Sequence, residues 1–223
     1  LSIVSAERIR DELTKLLVVE DPSDGLFFLH DTGLAEYFLP ELPAMRLEQD
    51  PVHHHKDVLT HTIAVVRQSP PGLRVRLAAL LHDIAKPRTR SIGPNGVSFH
   101  HHEVVGARMT RERMKALRFD KESIRDVSQL VFLHLRGHGY GNGWTDSAVR
   151  RFVRDAGPLL DDLIDLTRAD CTTRNKRKAE RLSAQIDELE DRIAVLAEAE
   201  ALAAIRPDLD GQAVMEHLGL PPG

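Results

Sequence analysis

With 30 Lys and Arg against 34 Asp and Glu in 223 residues, the chain has a formal charge of -4, which excludes a global attraction to nucleic acid and confines any such binding to a local patch. A hydrophobic fraction of 42% suffices to bury a core in one or two domains, and the single cysteine, Cys171, excludes an internal disulfide and a multi-cysteine zinc site. No stretch has the apolar length to span a bilayer and Leu1-Ser2-Ile3-Val4 lacks a signal-peptide pattern, so a cytoplasmic setting with no membrane partner is expected.

Aromatic residues are scarce, and Leu, Val, Ile and Ala recur at helical periods, so an all-α fold is expected. Ser5 as N-cap, Glu7 in the first turn and the stripe Ile9, Leu13, Leu16, Leu17 predict a helix to about Val18. Its other face carries Arg8, Arg10 and Lys15, suited to solvent, to RNA or to a missing domain. Asp21-Pro22 opens a second helix that Gly33 caps, and a short helical piece follows through Phe38, ended by Pro40 and Pro43. His53, His54 and His55 stand at the entrance of another helix, in which His61 is set among Leu59, Ile63, Val65 and Val66.

Pro70-Pro71-Gly72 separates that helix from the stretch around which the chain is organised, Leu77 to Pro87. Its Ala and Leu run reads as the middle of a buried helix, where His82 and Asp83 are costly unless something pairs with both; Lys86-Pro87 stops it just beyond them. An isolated pair of this kind is ordinarily satisfied by hydrogen bonds. His61, His102, His134 and Asp170, on separate helical segments, turn the reading towards a metal ion. Adjacent helical residues point about 100° apart, so the ion must lie against the flank of the helix with other segments closing around it.

Thr89 to Phe99 reads as a turn or small hairpin, and His100 to His102 precede a helix start. A helix over about Lys121 to Leu135 brings His134 to its end. The glycine-rich stretch Gly137 to Trp144 is expected to be a flexible loop over a site or a partner surface. Thr145 or Asp146 caps a short helix ended by Gly157-Pro158, and the next helix delivers Asp170. Thr172 or Thr173 then caps a long helix whose Leu182, Ile186, Leu189, Ile193 and Leu196 form a coiled-coil-like seam, satisfied by as little as an antiparallel pairing within the chain. Pro207 ends it, and Asp210 and Gly219 bound a last short helix. A start without Met and a loop-like end, Leu218 to Gly223, make a fragment the expectation.

His61, His82, Asp83, His102, His134 and Asp170 form a nitrogen and oxygen ligand set suited to magnesium, manganese, iron, cobalt, nickel or zinc, for one ion or, with Asp83 bridging, two. Hydrolysis of a phosphate ester is the natural reaction, with His82, Asp83 and Lys86 as its catalytic candidates. Lys86 and Arg88 suit a phosphate-steering role as well as ordinary capping of a helix dipole. Arg174, Lys176, Arg177 and Lys178 oppose the dipole at a helix N-terminus, which asks for an anion such as an RNA phosphate or leaves a slightly frustrated, solvated turn.

These residues carry a resemblance. His61, His82-Asp83 and Asp170 resemble the H…HD…D signature of HD-domain metal phosphohydrolases, with His102 and His134 at the additional positions of two-metal members. Ala85 stands where that family usually has Gly, a change that favours helix. More narrowly, Ser5 to Leu13, Pro51 to Val66, Leu80 to Arg90, Phe99 to Ala107 and Asp170 to Lys178 resemble the C-terminal part of bacterial, actinobacterial-like CCA tRNA nucleotidyltransferases and poly(A) polymerases. The resemblance implies a helical neck or linker over 1–50, an HD domain over 51–171 and a truncated helical tail over 172–223. It further implies tRNA as the partner, contacted through Arg8, Arg174, Lys176, Arg177 and Lys178, and a divalent-metal site hydrolysing 2′,3′-cyclic phosphates or phosphomonoesters. The head motifs of that family, a Gly-Gly or Gly-Ser loop with paired aspartates and a Glu-Asp-x-x-Arg selection motif, are not found, so CTP and ATP are expected as ligands of a full-length parent only. A stand-alone HD nucleotide phosphohydrolase and a non-catalytic RNA-holding module are the alternatives, and the oligomeric state is left open.

Overall fold

The computed structural model describes residues 4–47, 57–93, 96–173 and 175–204. Ser5 accepts a hydrogen bond from the Arg8 N–H and opens α1 (Ala6–Leu17), which buries Leu13 and Leu17. Asp21 accepts from the Ser23 N–H at the start of α2 (Ser23–Asp31), and Gly33, at φ +71°, reverses the chain into a 3-10 turn, Leu34–Tyr37. Next come α3 (Glu41–Ala44), α4 (Val58–Gln68) with Asp57 as its cap, α5 (Leu73–Leu81) and the single turn α6 (Lys86–Thr89). Strands β1 (Ser91–Gly93) and β2 (Gly96–Ser98) pair antiparallel, with Ile92 opposite Val97, as the small hairpin expected there. The remaining helices are α7 (His102–Ala116), α8 (Lys121–Leu133), α9 (Asp146–Ala156), α10 (Leu160–Asp170) and α11 (Lys176–Ala204). Among the described residues the fold is all-α apart from that hairpin.

α5 is buried all round, with Val75 and Leu77 through Leu81 inaccessible, as a helix without a polar face must be. α1, α4, α8 and α10 surround it, and α7 lies along α8. Arg76 joins the N-terminal helix to this core. The residue is 2% exposed, and its guanidinium donates to the carbonyls of Leu17 (2.5 Å), Glu20 (3.1 Å), Ser69 (3.3 Å) and Pro70 (3.1 Å), and to that of Val19. The end of α1 and the turn between α4 and α5 thus share one fork of donors.

Four expectations need correction. His82 and Asp83 are not inside a helix: α5 ends at Leu81, and the Ile84 and Lys86 N–H groups bond to carbonyls three residues back, Leu81 and Asp83. Pro40 and Pro43 do not end the helical region but stand at the N-cap and third residue of α3, where no intrahelical N–H is needed. The long helix is capped by neither threonine, because Asn175 accepts from the Lys178 N–H at 3.1 Å. Its seam packs within the chain, and against α9 it is not antiparallel: Asp146 meets Arg192 and Arg150 meets Glu200, so contacts advance together along α9 and α11. His53 to His55, Arg174, and the final helix read around Asp210 lie outside the described residues.

Candidate metal centre

Five helices deliver one cluster. His61 comes from the middle of α4, His82 and His134 from the residues that end α5 and α8, His102 from the first position of α7 and Asp170 from the last of α10. His101, in the left-handed region at φ 60°, turns the chain so that α7 begins on His102.

Three of the histidines are oriented in one way. Nδ1 of His82 lies 2.7 Å from the Ala79 carbonyl, Nδ1 of His102 2.8 Å from that of Phe99, and Nδ1 of His134 2.6 Å from that of Val131. A carbonyl only accepts, so each Nδ1 carries a proton and each ring turns Nε2 inward, where it can ligate a cation once that nitrogen is unprotonated. The Nε2 atoms converge: His61 and His82 stand 3.4 Å apart, His102 and His134 3.2 Å apart. Asp83 lies between the two pairs, with Oδ2 3.6 Å from His61 and 3.2 Å from His82, and Oδ1 3.5 Å from His102. Asp170 Oδ1 adds to the first pair, 2.9 Å from His61 and 3.6 Å from His82.

In His61, His82, Asp83 and again in Asp83, His102, His134, one ligand atom from each residue lies within 4.8 Å of the others. The side chains present fit a cation. Asp83 Oδ2 is buried and makes no hydrogen bond, and its nearest cation is Lys86 Nζ, an ion-pair partner at 2.7 Å. Facing lone pairs beside an unsatisfied carboxylate oxygen are expensive in a dry interior, and a divalent ion at their centre would satisfy them together.

Electrostatics point the same way. Burial opposes ionisation of Asp83, yet His82 and then Lys86 and His61 hold its carboxyl far below the usual range. Asp170 is likewise held low against burial, by His82 first and by hydrogen bonds from His138 and His61. Burial works against a charged His82, but Asp83 and Asp170 outweigh it and its pKa rises. His134 is pushed down to about 3, by burial and then by the nearby His82. Two ionised carboxylates in a buried site need positive charge beside them, which Lys86 and a protonated His82 supply without an ion and which a divalent cation would supply in place of the His82 proton.

Residues 52–175 match the HD domain family. This chain belongs to it. Residues 1–45 match a second family, described as a probable RNA and SrmB-binding site of polymerase A. The HD chain is similar to the A-adding tRNA nucleotidyltransferase of Deinococcus radiodurans, 34% identical over 97% of this chain and 51% of that protein. It is also 34% identical to the CC-adding tRNA nucleotidyltransferase of Thermus thermophilus, over 100% of this chain and 50% of the relative. The Multifunctional CCA protein of Pseudomonas syringae is 30% identical over 64% of this chain and 35% of its own length. The HD chain therefore spans about half the length of the first two relatives.

Around the HD site, Lys86 reaches from α6 to Asp83 with its ammonium 5.5 Å from the Phe99 ring centroid, while Arg88 is exposed. The RNA-binding candidates lie outside the cluster. Lys176, Arg177 and Lys178 are exposed on the first turn of α11. Arg8 is exposed on α1 at the edge of a cleft of about 700 Å³, lined also by Leu13, Leu16, Leu29 and Phe38 and by none of the clustered His or Asp residues. Arg10 and Lys15, on the same helix, are engaged by Asp11 and Glu12.

Two HD-site residues escaped sequence reading. Thr172, expected as a helix cap, instead places Oγ1 2.8 Å from His61 Nδ1. His138, in the glycine-rich stretch, puts Nε2 2.8 Å from Asp170 Oδ2; that contact and a second with Cys171 raise its pKa to about 10. The stretch is no open loop: Gly137–Asn142 forms a 3-10 turn, and Tyr140 and Trp144 meet edge to face at 5.6 Å. A lone His among alternating glycines was the available signal.

Proposed function

We propose that this chain is the tRNA-holding, C-terminal portion of a tRNA nucleotidyltransferase, with a neck over 1–50, an HD unit over 51–171 and a tail over 172–223, in a cytoplasmic protein. In this reading His61, His82, Asp83 and Asp170, with His102 and His134, hold one or two divalent ions, and the HD site hydrolyses a 2′,3′-cyclic phosphate or phosphomonoester. The observation that carries the metal reading is the gathering of four histidines about one buried carboxylate, Asp83, with His61 and His82 beside Oδ2 and His102, backed by His134, beside Oδ1. Similarity to two tRNA nucleotidyltransferases over nearly the whole chain supports the tRNA reading.

A divalent ion bound there supplies a Lewis acid for phosphate oxygens and acidifies a bound water. The chain's own residues do the rest. The Ala79, Phe99 and Val131 carbonyls fix the tautomers of three ligands, so no ring must reorient during binding. Lys86 keeps a cation beside Asp83, only partly exposed, where it can meet an incoming phosphate oxygen. The test is hydrolysis of a 2′,3′-cyclic nucleotide and a nucleoside monophosphate by metal-loaded wild type and Asp83→Asn. Metal-dependent turnover lost in Asp83→Asn supports the reading. Equal rates in both proteins reject the hydrolase and leave an RNA-holding module.

A further inference from the structure

The two oxygens of Asp170 face different ways. Oδ1 is turned inward, 2.9 Å from His61 Nε2, while Oδ2 is held outward by His138 Nε2 at 2.8 Å. His138 rides in the 3-10 turn Gly137–Asn142, which touches both α10 and α11.

Glycine is what lets the turn approach so closely. A Cβ on Gly137 would lie 2.6 Å from Cγ2 and Oγ1 of Thr167, and one on Gly141 2.5 Å from Gln185 Nε2. Thr167 is buried and its hydroxyl donates to the Leu163 carbonyl, so it cannot swing aside. On the α11 side, the Tyr140 hydroxyl donates to Glu188 Oε1 at 3.1 Å. Arg192 donates to the Trp144 carbonyl at 2.7 Å and pairs with Asp146. A plain connection between α8 and α9 needs none of this bracing. Its outcome is one hydrogen bond delivered to one candidate ligand, from an element outside the ligand-bearing helices.

We propose that His138 is a positioning residue for the metal centre: by holding Oδ2 of Asp170 outward it leaves Oδ1 as the oxygen presented to an ion, with α10 and α11 bracing the turn that carries it. The inference rests on the metal-centre reading above. A carboxylate without this anchor can rotate and must be ordered when the ion binds, and removing such an outer hydrogen bond weakens metal binding by roughly 10- to 100-fold.

The test is calorimetric titration of the full chain with Mn²⁺ or Co²⁺, for wild type, His138→Leu, His138→Gln and Gly137→Ala. His138→Leu is expected to bind about 10- to 100-fold more weakly. His138→Gln, whose amide can still donate to Asp170, is expected to recover most of the affinity, which a merely space-filling role would not produce. In chelator, His138→Gln should melt close to wild type, whereas His138→Leu, which strips Asp170 Oδ2 of its donor, should melt lower, so affinities are compared below the melting temperature of each protein. Gly137→Ala, which keeps the His138 imidazole but displaces the turn carrying it from Thr167 and so from Asp170, should weaken binding as well, and it stands in if His138→Leu fails to fold. Wild-type affinity in His138→Leu, or in Gly137→Ala when it is the stand-in, overturns the inference and leaves the metal centre standing. No binding by wild type overturns the centre and this inference together.

Discussion

His102 and His134 point Nε2 at Nε2 across 3.2 Å, and each ring gives its other nitrogen's proton to a backbone carbonyl three residues earlier. Two neutral imidazoles so arranged oppose lone pair to lone pair. Without an ion the two nitrogens hydrogen-bond only if one ring carries a second proton, and burial opposes that at His134, whose pKa is pushed down to about 3. A cation between them favours that geometry, because both lone pairs then become ligands.

Metal removal should therefore cost stability. An ion that binds only the folded chain stabilises it by about 2.7 kcal/mol at a concentration one hundred times its Kd. Thermal melting of metal-loaded protein, repeated after chelation, should show a fall in Tm that Mn²⁺ or Co²⁺ reverses. Asp83→Asn should melt alike in both conditions. A wild-type Tm indifferent to chelator would remove the metal reading of the cluster.

Arg76 makes a second prediction, about how the N-terminal helix is held. Among the described residues no carboxylate forms an ion pair with the guanidinium, and burial lowers its pKa against a weaker opposing pull from Asp21, yet its donors supply the carbonyls of Leu17, Val19, Glu20, Ser69 and Pro70. Arg76→Ala leaves these groups short of partners and should destabilise the chain by about 3 kcal/mol in urea titrations. Arg76→Lys should recover only part, since an ammonium lacks the planar fork. A loss below about 0.5 kcal/mol in Arg76→Ala would show that water or rearrangement replaces the clamp.

The stripes of α1, α4, α8 and α10 are legible in the sequence because burial on one face imposes a helical period. The cluster was legible for a related reason: His61, His82 and His134 are conspicuous among Leu, Val and Ile. The end of α5 was not. Ile84-Ala85-Lys86 continues the chain with residues that tolerate helix, and the break after Leu81 comes from contacts beyond that segment, with Asp83 facing His61 and His102 across the cluster. His138 was missed because a glycine-rich stretch has no period to read, and its partner Asp170 lies 32 residues away. Thr172 was read as a cap because Thr suits that role locally; its bond to His61 spans 111 residues and leaves no local pattern.

α8 carries His134 to the cluster, and Asp120 starts it. The Asp120 carboxylate accepts from the Ser123 hydroxyl at 2.6 Å and from the Ser123 N–H at 2.9 Å, and these bonds lower its pKa below 3.8. Asp120→Ala should cost about 1 kcal/mol, and Asp120→Ser much less. Because the folded pKa is depressed, the charged cap's contribution is present above pH 3.8 and is lost as the pH falls through the folded value. Urea titrations of wild type and Asp120→Ala should therefore differ at neutral pH and converge in acid. A gap that stays constant into acid would assign the effect to something other than the carboxylate.

Lys176, Arg177 and Lys178 are exposed in the first turn of α11, the end of a 29-residue helix where the backbone already concentrates positive potential. Cations there raise the energy of the free chain, and an RNA phosphate bound at that end would relieve it. Each phosphate contact releases counterions, so replacing all three by Ala should weaken tRNA binding and lower the slope of log affinity against log salt by about 2 to 3. Arg8→Ala, a single charge on α1, should lower the slope by at most about 1. Binding measured across a salt series separates charge loss from misfolding, because a misfolded variant loses affinity without a graded change in slope. A triple variant that keeps the wild-type slope would exclude this helix start as the tRNA contact.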